Sequence, residues 1–172
     1  VAELETWAKN WGQGNTKKGV ILSGPPGCGK TSAAIALAKD RGWEVIELNA
    51  SDARSKDVIE GIALRAGLFQ TFGRYGMSDR NLILLDEADN LYERAKQSKN
   101  KTKNYSDRGG KRAIAKTLEQ TKQPVVITVN DLYNLTKGTG AKIKRLALTL
   151  KFRRPSTESV SSVLKKVCES EG

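Results

Sequence analysis

Gly24-Pro25-Pro26-Gly27-Cys28-Gly29-Lys30-Thr31 carries the pattern GxxxxGK[ST], and its residue types suit one task, the cradling of a polyphosphate. Glycines let backbone N–H groups approach phosphate oxygens closely, and the start of a helix adds partial positive charge. Lys30 would neutralise β- and γ-phosphates, and Thr31 would ligate Mg²⁺ through its hydroxyl. The bland alternative is a strand-to-helix turn with glycines at positive φ. A lysine at a helix start is unfavourable, however, unless an anion lies nearby. Gly24, Pro25, Pro26, Gly27, Cys28, Gly29, Lys30, Thr31 and Ser32 are therefore the candidate nucleotide-binding residues, and the predicted ligand is a nucleoside triphosphate.

A second constellation is Leu82-Ile83-Leu84-Leu85-Asp86-Glu87, an apolar run ending in adjacent carboxylates. Such a pair alone often only caps the next helix. Beside a phosphate loop it has a chemical use. Asp86 would hold the Mg²⁺ shell, and Glu87 would orient or deprotonate the attacking water. The third constellation is Thr128-Val129-Asn130-Asp131 at the end of another apolar run. There Asn130 is a neutral polar group able to contact the γ-phosphate or the lytic water. Its structural alternative is an asparagine that merely turns the chain.

Positioning these groups requires strands that end together. Val20-Ile21-Leu22 precedes the glycine loop, and the helix-forming segment 32–39 follows it. Further strands are predicted at 43–48, 81–86, 125–129 and 147–152. Helices are predicted at 3–11, from Ser55 with Val58, Ile59, Ile62 and Ala66 on one face, at about 111–122 and at 156–169. The third strand is apolar at every position, as in a buried parallel strand. Alternating strands and helices imply right-handed crossovers and a parallel sheet covered on both faces. Residues 67–78 read as a loop whose Leu68, Phe69 and Phe72 are either tucked into the core or a docking surface.

The chain has 172 residues, enough for one domain with a real core and part of a second. Its two cysteines, Cys28 and Cys168, build no disulfide framework, which fits an intracellular, reducing setting. No apolar run approaches membrane-spanning length, so no membrane partner is expected. The net charge of +11 is concentrated in two blocks. Between Arg94 and Lys116 nine Lys/Arg face one acid, and between Lys137 and Arg154 seven face none. Two basic blocks on a mildly acidic body suggest a polyanion such as nucleic acid. For the Lys/Asn-rich run at 96–104, a solubilising surface loop explains the composition equally well. The first residue is Val and the last helical pattern stops abruptly, so a fragment of a longer chain is expected.

With these residues in view, the chain resembles the AAA+ ATPases and, more narrowly, the replication factor C clamp loaders. Glu47-Leu48-Asn49-Ala50-Ser51-Asp52 and Leu84-Leu85-Asp86-Glu87-Ala88-Asp89 join the glycine loop in carrying the resemblance. Asp107-Arg108-Gly109-Gly110 points to the large subunit, and the general form looks archaeal. The fold implied is the α/β P-loop NTPase of AAA+ type, a five-stranded parallel sheet flanked by helices. Residues 1–153 would form an N-terminally truncated nucleotide-binding domain, and 154–172 the start of an incomplete helical lid. The resemblance makes Lys30 and Thr31 the phosphate and Mg²⁺ residues, Asp86 the Mg²⁺ acid, Glu87 the catalytic acid and Asn130 the first sensor. The cofactors implied are ATP and Mg²⁺. The partners implied are replication factor C small subunits, a sliding clamp and primer–template DNA.

In the family, ATP binding closes a ring of subunits around DNA, and hydrolysis releases the clamp. The DNA-tracking positions would be Arg54, Lys56, Arg108, Lys111 and Arg112, and Leu68, Phe69 and Phe72 fall where a clamp-binding segment would lie. Small subunits carry a Ser-Arg-Cys arginine finger. Here the stretch is Lys144-Arg145-Leu146-Ala147, with Leu146 at the finger position, as a large subunit would show. The second sensor would lie beyond Gly172, so weak hydrolysis is expected of the chain by itself. Two other readings remain: a nucleotide-gated binding module whose hydrolysis is dispensable, and a DNA-associated AAA+ motor such as a branch-migration helicase. Asn49-Ala50-Ser51-Asp52 argues against the latter.

Overall fold

The structure is a computed structural model that describes residues 2–14, 16–49, 80–89 and 108–171. Strands β1 (Gly19–Ser23), β2 (Glu44–Asn49), β3 (Asn81–Asp86), β4 (Val125–Val129) and β5 (Ala147–Lys151) form one sheet in the order β2-β3-β4-β1-β5. Each adjacent pair is parallel, as the strand–helix alternation requires. The described helices are α1 (Ala2–Lys9), α2 (Lys30–Arg41), α3 (Arg108–Gln120), α4 (Leu132–Thr136), α5 (Ala141–Leu146) and α6 (Thr157–Glu171). The helix expected from Ser55 lies outside the described residues.

Alternation along the strands divides the core between the two faces of the sheet. Val20, Leu22, Leu82, Leu84 and Val126 pack with Leu4, Trp7, Trp11, Ala34, Leu37 and Trp43, on the side of α1 and α2. Ile21, Ile83, Leu85, Ile127 and Val129 pack on the other side with Ile114, Leu118, Leu135 and Ile143, from α3, α4 and α5. An all-apolar strand is thus explained by burial on both faces. The tryptophans of the N-terminal segment also anchor it. Trp7 Nε1 donates to Lys17 O at 2.7 Å and Trp11 Nε1 to Lys18 O at 3.0 Å, fixing the entry into β1.

Helix α3 differs from expectation, starting at Arg108 and stopping at Gln120. Gly109 and Gly110 disfavour helix intrinsically, yet Gly110, Ala113, Ile114 and Leu118 are buried, and packing outweighs propensity there. The stop precedes Pro124. Gln123 N donates to Thr121 Oγ1 and Thr121 Oγ1 to Gln123 O, closing a tight turn. Helix α6 is different in kind. Its Val160, Val163, Leu164 and Val167 form a stripe at helical spacing that stays exposed.

Candidate functional site

Parallel strands bring their carboxyl ends to one edge, where open α/β sheets form their binding crevice. Ser23 pairs with Val129 and Leu85 with Ile127, so Gly24, Asp86, Thr128 and Asn130 meet at that edge. Gly24 must be glycine, because a Cβ there would run into the carbonyl of Phe152, beyond the end of β5. Gly24 N also donates to Val129 O at 3.2 Å, holding the base of the loop against β4. Gly27 (φ 73°) and Gly29 (φ 86°) take left-handed conformations, and nothing within 4 Å stands where their Cβ atoms would be. That open, glycine-lined backbone ahead of α2 is the cradle a polyphosphate needs.

Lys30, the first residue of α2, is buried. Its Nζ donates to Gly24 O at 2.8 Å, Pro25 O at 3.0 Å and Asn130 Oδ1 at 2.9 Å. The phosphate-loop lysine and the Asn130 amide, a hundred residues apart in sequence, are in direct contact. Thr31 Oγ1 donates to Asp86 Oδ1 at 2.9 Å. The hydroxyl and carboxylate are a hard-oxygen donor pair of the kind that would hold Mg²⁺. No cluster of three or more His, Cys, Asp or Glu able to hold a metal occurs among the described residues. Both Mg²⁺ and a triphosphate fit these residues. Cys28 is half-buried, and Ser32 is exposed behind Thr31.

Glu87 follows at φ 52°, the one non-glycine among the described residues with positive φ. A left-handed glutamate costs about 1–3 kcal/mol and persists only where surroundings over-determine it. One determinant is Thr128, whose Oγ1 accepts from Glu87 N at 3.0 Å and itself donates to Asp86 Oδ1. Thr128 thereby ties both carboxylate residues to β4. Asp89, also buried, does the same for the asparagine loop. Its Oδ2 accepts from Asn130 N at 3.1 Å and Asp131 N at 3.0 Å, while its buried Oδ1 has no hydrogen-bond partner.

Sequence reasoning assigned no role to Thr128 or Asp89. The available signal was a hydroxyl inside the apolar run Val125–Val129 and a third acid after Asp86-Glu87.

The remaining candidates separate. Arg112 is exposed on α3, whereas Lys111 is buried, so it is not the surface cation its place in a basic block suggested. Lys111 Nζ donates to Lys137 O at 2.6 Å. Burial, and then the neighbouring Lys137 charge, pull its pKa below the ordinary lysine value. Arg108 opens α3. Arg54, Lys56, Leu68, Phe69 and Phe72 lie outside the described residues. Leu146, at the position of the family's finger, is partly buried against the core.

Comparison with known proteins agrees with this geometry. Residues 20–154 match the model of the ATPase family associated with various cellular activities (AAA). The chain is 46% identical to the replication factor C large subunit of Methanocella arvoryzae over 172 residues, covering 100% of this chain and 28% of that protein. The corresponding large subunit of Methanosarcina mazei is also 46% identical, over 100% of this chain and 25% of its own length. For Natronomonas pharaonis the identity is 42% over 98% of this chain and 30% of the relative. The chain thus spans between a quarter and a third of the length of these relatives. Among solved structures, the FIGL-1 AAA domain in complex with ADP superimposes with a TM-score of 0.65 at 19% identity, covering 99% of this chain and 55% of that one. That likeness concerns the fold alone. On its glycine loop, its strand-end acids and a family match over most of its length, the chain belongs to the AAA ATPase family.

Proposed function

We propose that the chain is the ATP-binding core of a clamp-loader large subunit, which uses ATP binding and hydrolysis to place a sliding clamp on primer–template DNA. The observation that carries the nucleotide half is the convergence of Lys30, Thr31, Asp86 and Asn130 through direct hydrogen bonds at the strand ends. The likeness to replication factor C large subunits supports the clamp-loading half.

The mechanism follows from the residues. The N–H groups of residues 27–31 and Lys30 Nζ bind the β- and γ-phosphates. Thr31 and Asp86 would hold Mg²⁺, which would neutralise charge on those phosphates. Glu87 takes a proton from the water whose oxygen attacks the γ-phosphorus, and the bond to the β-γ bridging oxygen breaks to leave ADP. Asn130 orients that water or the γ-phosphate. Leu146 offers no guanidinium to a neighbour's site, and the stabilising cation for this site would be an arginine supplied in trans, as in other nucleotide hydrolases.

Arg54, Lys56, Arg108 and Arg112 contact the DNA backbone in this reading. Lys111 is withdrawn from the set because its ammonium is engaged inside. Leu68, Phe69 and Phe72 form the clamp-binding segment. The exposed stripe of α6 supports residues 154–172 as the opening of a helical lid. The protein acts inside the cell, on DNA.

The test is ATP turnover by the full-length protein assembled with its partner subunits, with and without sliding clamp and primer–template DNA. Turnover raised by both together, with clamp loaded onto DNA, is the expected result. Turnover indifferent to both would overturn the clamp-loading reading and leave only the ATPase.

A further inference from the structure

The basic block at 137–154 is not used by the mechanism above, and its charges gather on one surface. Its seven cations are accompanied by no acid in sequence. Among the described residues only Lys142 has a carboxylate within ion-pair distance, Glu119 at 2.7 Å. Lys144, Lys151 and Arg153 instead line a cleft of about 490 Å³ on the α4–α5 side of the β1 and β5 strand ends. All three are exposed. The cleft wall also includes Tyr133, Leu132 and Phe152. Tyr133 is 70% exposed, the highest among the described large hydrophobics. Lys137 Nζ stands 5.5 Å from its ring centroid, so ring and cation are presented together. The local acid, Asp131, is committed to the helix start, with its Oδ1 accepting from Tyr133 N at 2.8 Å.

We infer that this cleft is a binding surface for single-stranded nucleic acid, with Tyr133 stacking on an unpaired base and Lys144, Lys151 and Arg153 on the adjoining phosphates. An exposed ring beside uncompensated cations is the pairing that binds single strands with little sequence preference. A duplex offers the cations phosphates but gives the ring no base to stack on. The surface adjoins the first turn of α3 through the Lys111–Lys137 hydrogen bond, and the duplex contacts of the reading above are assigned to Arg108 and Arg112. The inference rests on that reading only in taking nucleic acid as the partner.

The experiment measures anisotropy of a fluorescent oligo-dT and of a fluorescent duplex, titrated with the full-length protein in its assembly at several salt concentrations. Tyr133→Ala should weaken oligo-dT binding by about 5- to 100-fold, the range one base–aromatic stack contributes. Tyr133→Phe should restore it, and duplex binding should stay unchanged in both. The triple variant Lys144→Gln, Lys151→Gln, Arg153→Gln should lower the salt slope on oligo-dT by about 2, near 0.7 per phosphate contact. Arg112→Ala should affect the duplex and spare oligo-dT. Unchanged oligo-dT affinity in both Tyr133→Ala and the triple variant overturns the inference while leaving the clamp-loader reading intact. Assembly lost in the triple variant with oligo-dT binding retained also overturns it, making the cleft a protein interface. A wild-type assembly that binds neither probe overturns both readings together.

Discussion

Lys30 and Lys111 are both buried lysines in the first turns of helices, and they do opposite things. Lys30 is 8% exposed and Lys111 4%, so burial does not distinguish them. Their acceptors do. Lys30 Nζ reaches two carbonyls of the glycine loop and the side chain of Asn130, groups that meet where the strands end. Lys111 Nζ reaches the carbonyl of Lys137, the C-cap residue of α4, which also accepts from Gly140 N at 3.2 Å. Gly140 gives its stem room, since a Cβ there would stand 3.0 Å from Lys111 Cδ. One cation is held at the mouth of a crevice, where a ligand can take over its bonds. The other fastens the loop after α4 onto α3. In the proposed reading a buried lysine at the strand ends is a binding group, and elsewhere the same chemistry is a tether.

The sharpest way to test the first region is Glu87→Gln. The amide keeps the size and the left-handed backbone but cannot accept a proton, so turnover should fall about 10²–10⁴-fold. ATP binding should persist. Single-turnover hydrolysis in the assembled complex checks this, and wild-type rates would assign the water to another group. Lys30→Ala should follow in size. It removes the cation from the phosphates and should weaken ATP binding by roughly 30-fold or more, since losing one partner of a buried charge pair costs about 2–5 kcal/mol. Titration with a fluorescent ATP analogue reads it. The comparison breaks if Lys30→Ala lowers the melting temperature and spares nucleotide affinity, for Lys30 would then be a tether as well.

The difference in legibility between the two lysines has a physical cause. Gly24 to Thr31 is contiguous, and its spacing is imposed by covalent geometry, so the sequence alone puts Lys30 at the start of the helix that follows the glycine loop. The Asp86-Glu87 pair is nearly as local, because an all-apolar strand announces its own end. The five strands were legible for the same reason, with ends matching or shifted by a single residue. Lys111 sat in a run with Arg108 and Arg112 and read as one more surface cation. Helical periodicity held the correction: Lys111, Ile114, Ala115 and Leu118 share one stripe, which is buried, while Arg112, Lys116 and Glu119 share the exposed one. Thr128 and Asp89 were harder. Their partners, Asp86 and Glu87 for one and Asn130 and Asp131 for the other, lie about forty residues away across the sheet. Only the register of β3 on β4 brings them together.

The smallest expected effects belong to Lys111. Lys111→Met keeps most of the stem and removes the ammonium, leaving the Lys137 carbonyl without that donor. That carbonyl keeps the Gly140 N–H at 3.2 Å, so the loss is that of one hydrogen bond, about 1 kcal/mol, and nucleotide affinity should be unchanged. The pH dependence gives the finer test. Because burial and Lys137 lower the folded-state pKa, the folded protein releases this proton at a lower pH than the unfolded chain does. Between the depressed value and the ordinary lysine value, the unfolded state therefore binds more protons, and stability contributed by this group rises with pH. Below that window the contribution is constant. Lys111→Met abolishes the term, so the stability gap between wild type and variant should widen as pH rises toward the lysine range. Urea melts of the two proteins at neutral and alkaline pH measure the gap directly, with other titrating groups cancelling in the difference. A gap that narrows with pH would mean that the Lys111 ammonium is stabilised in place by its surroundings.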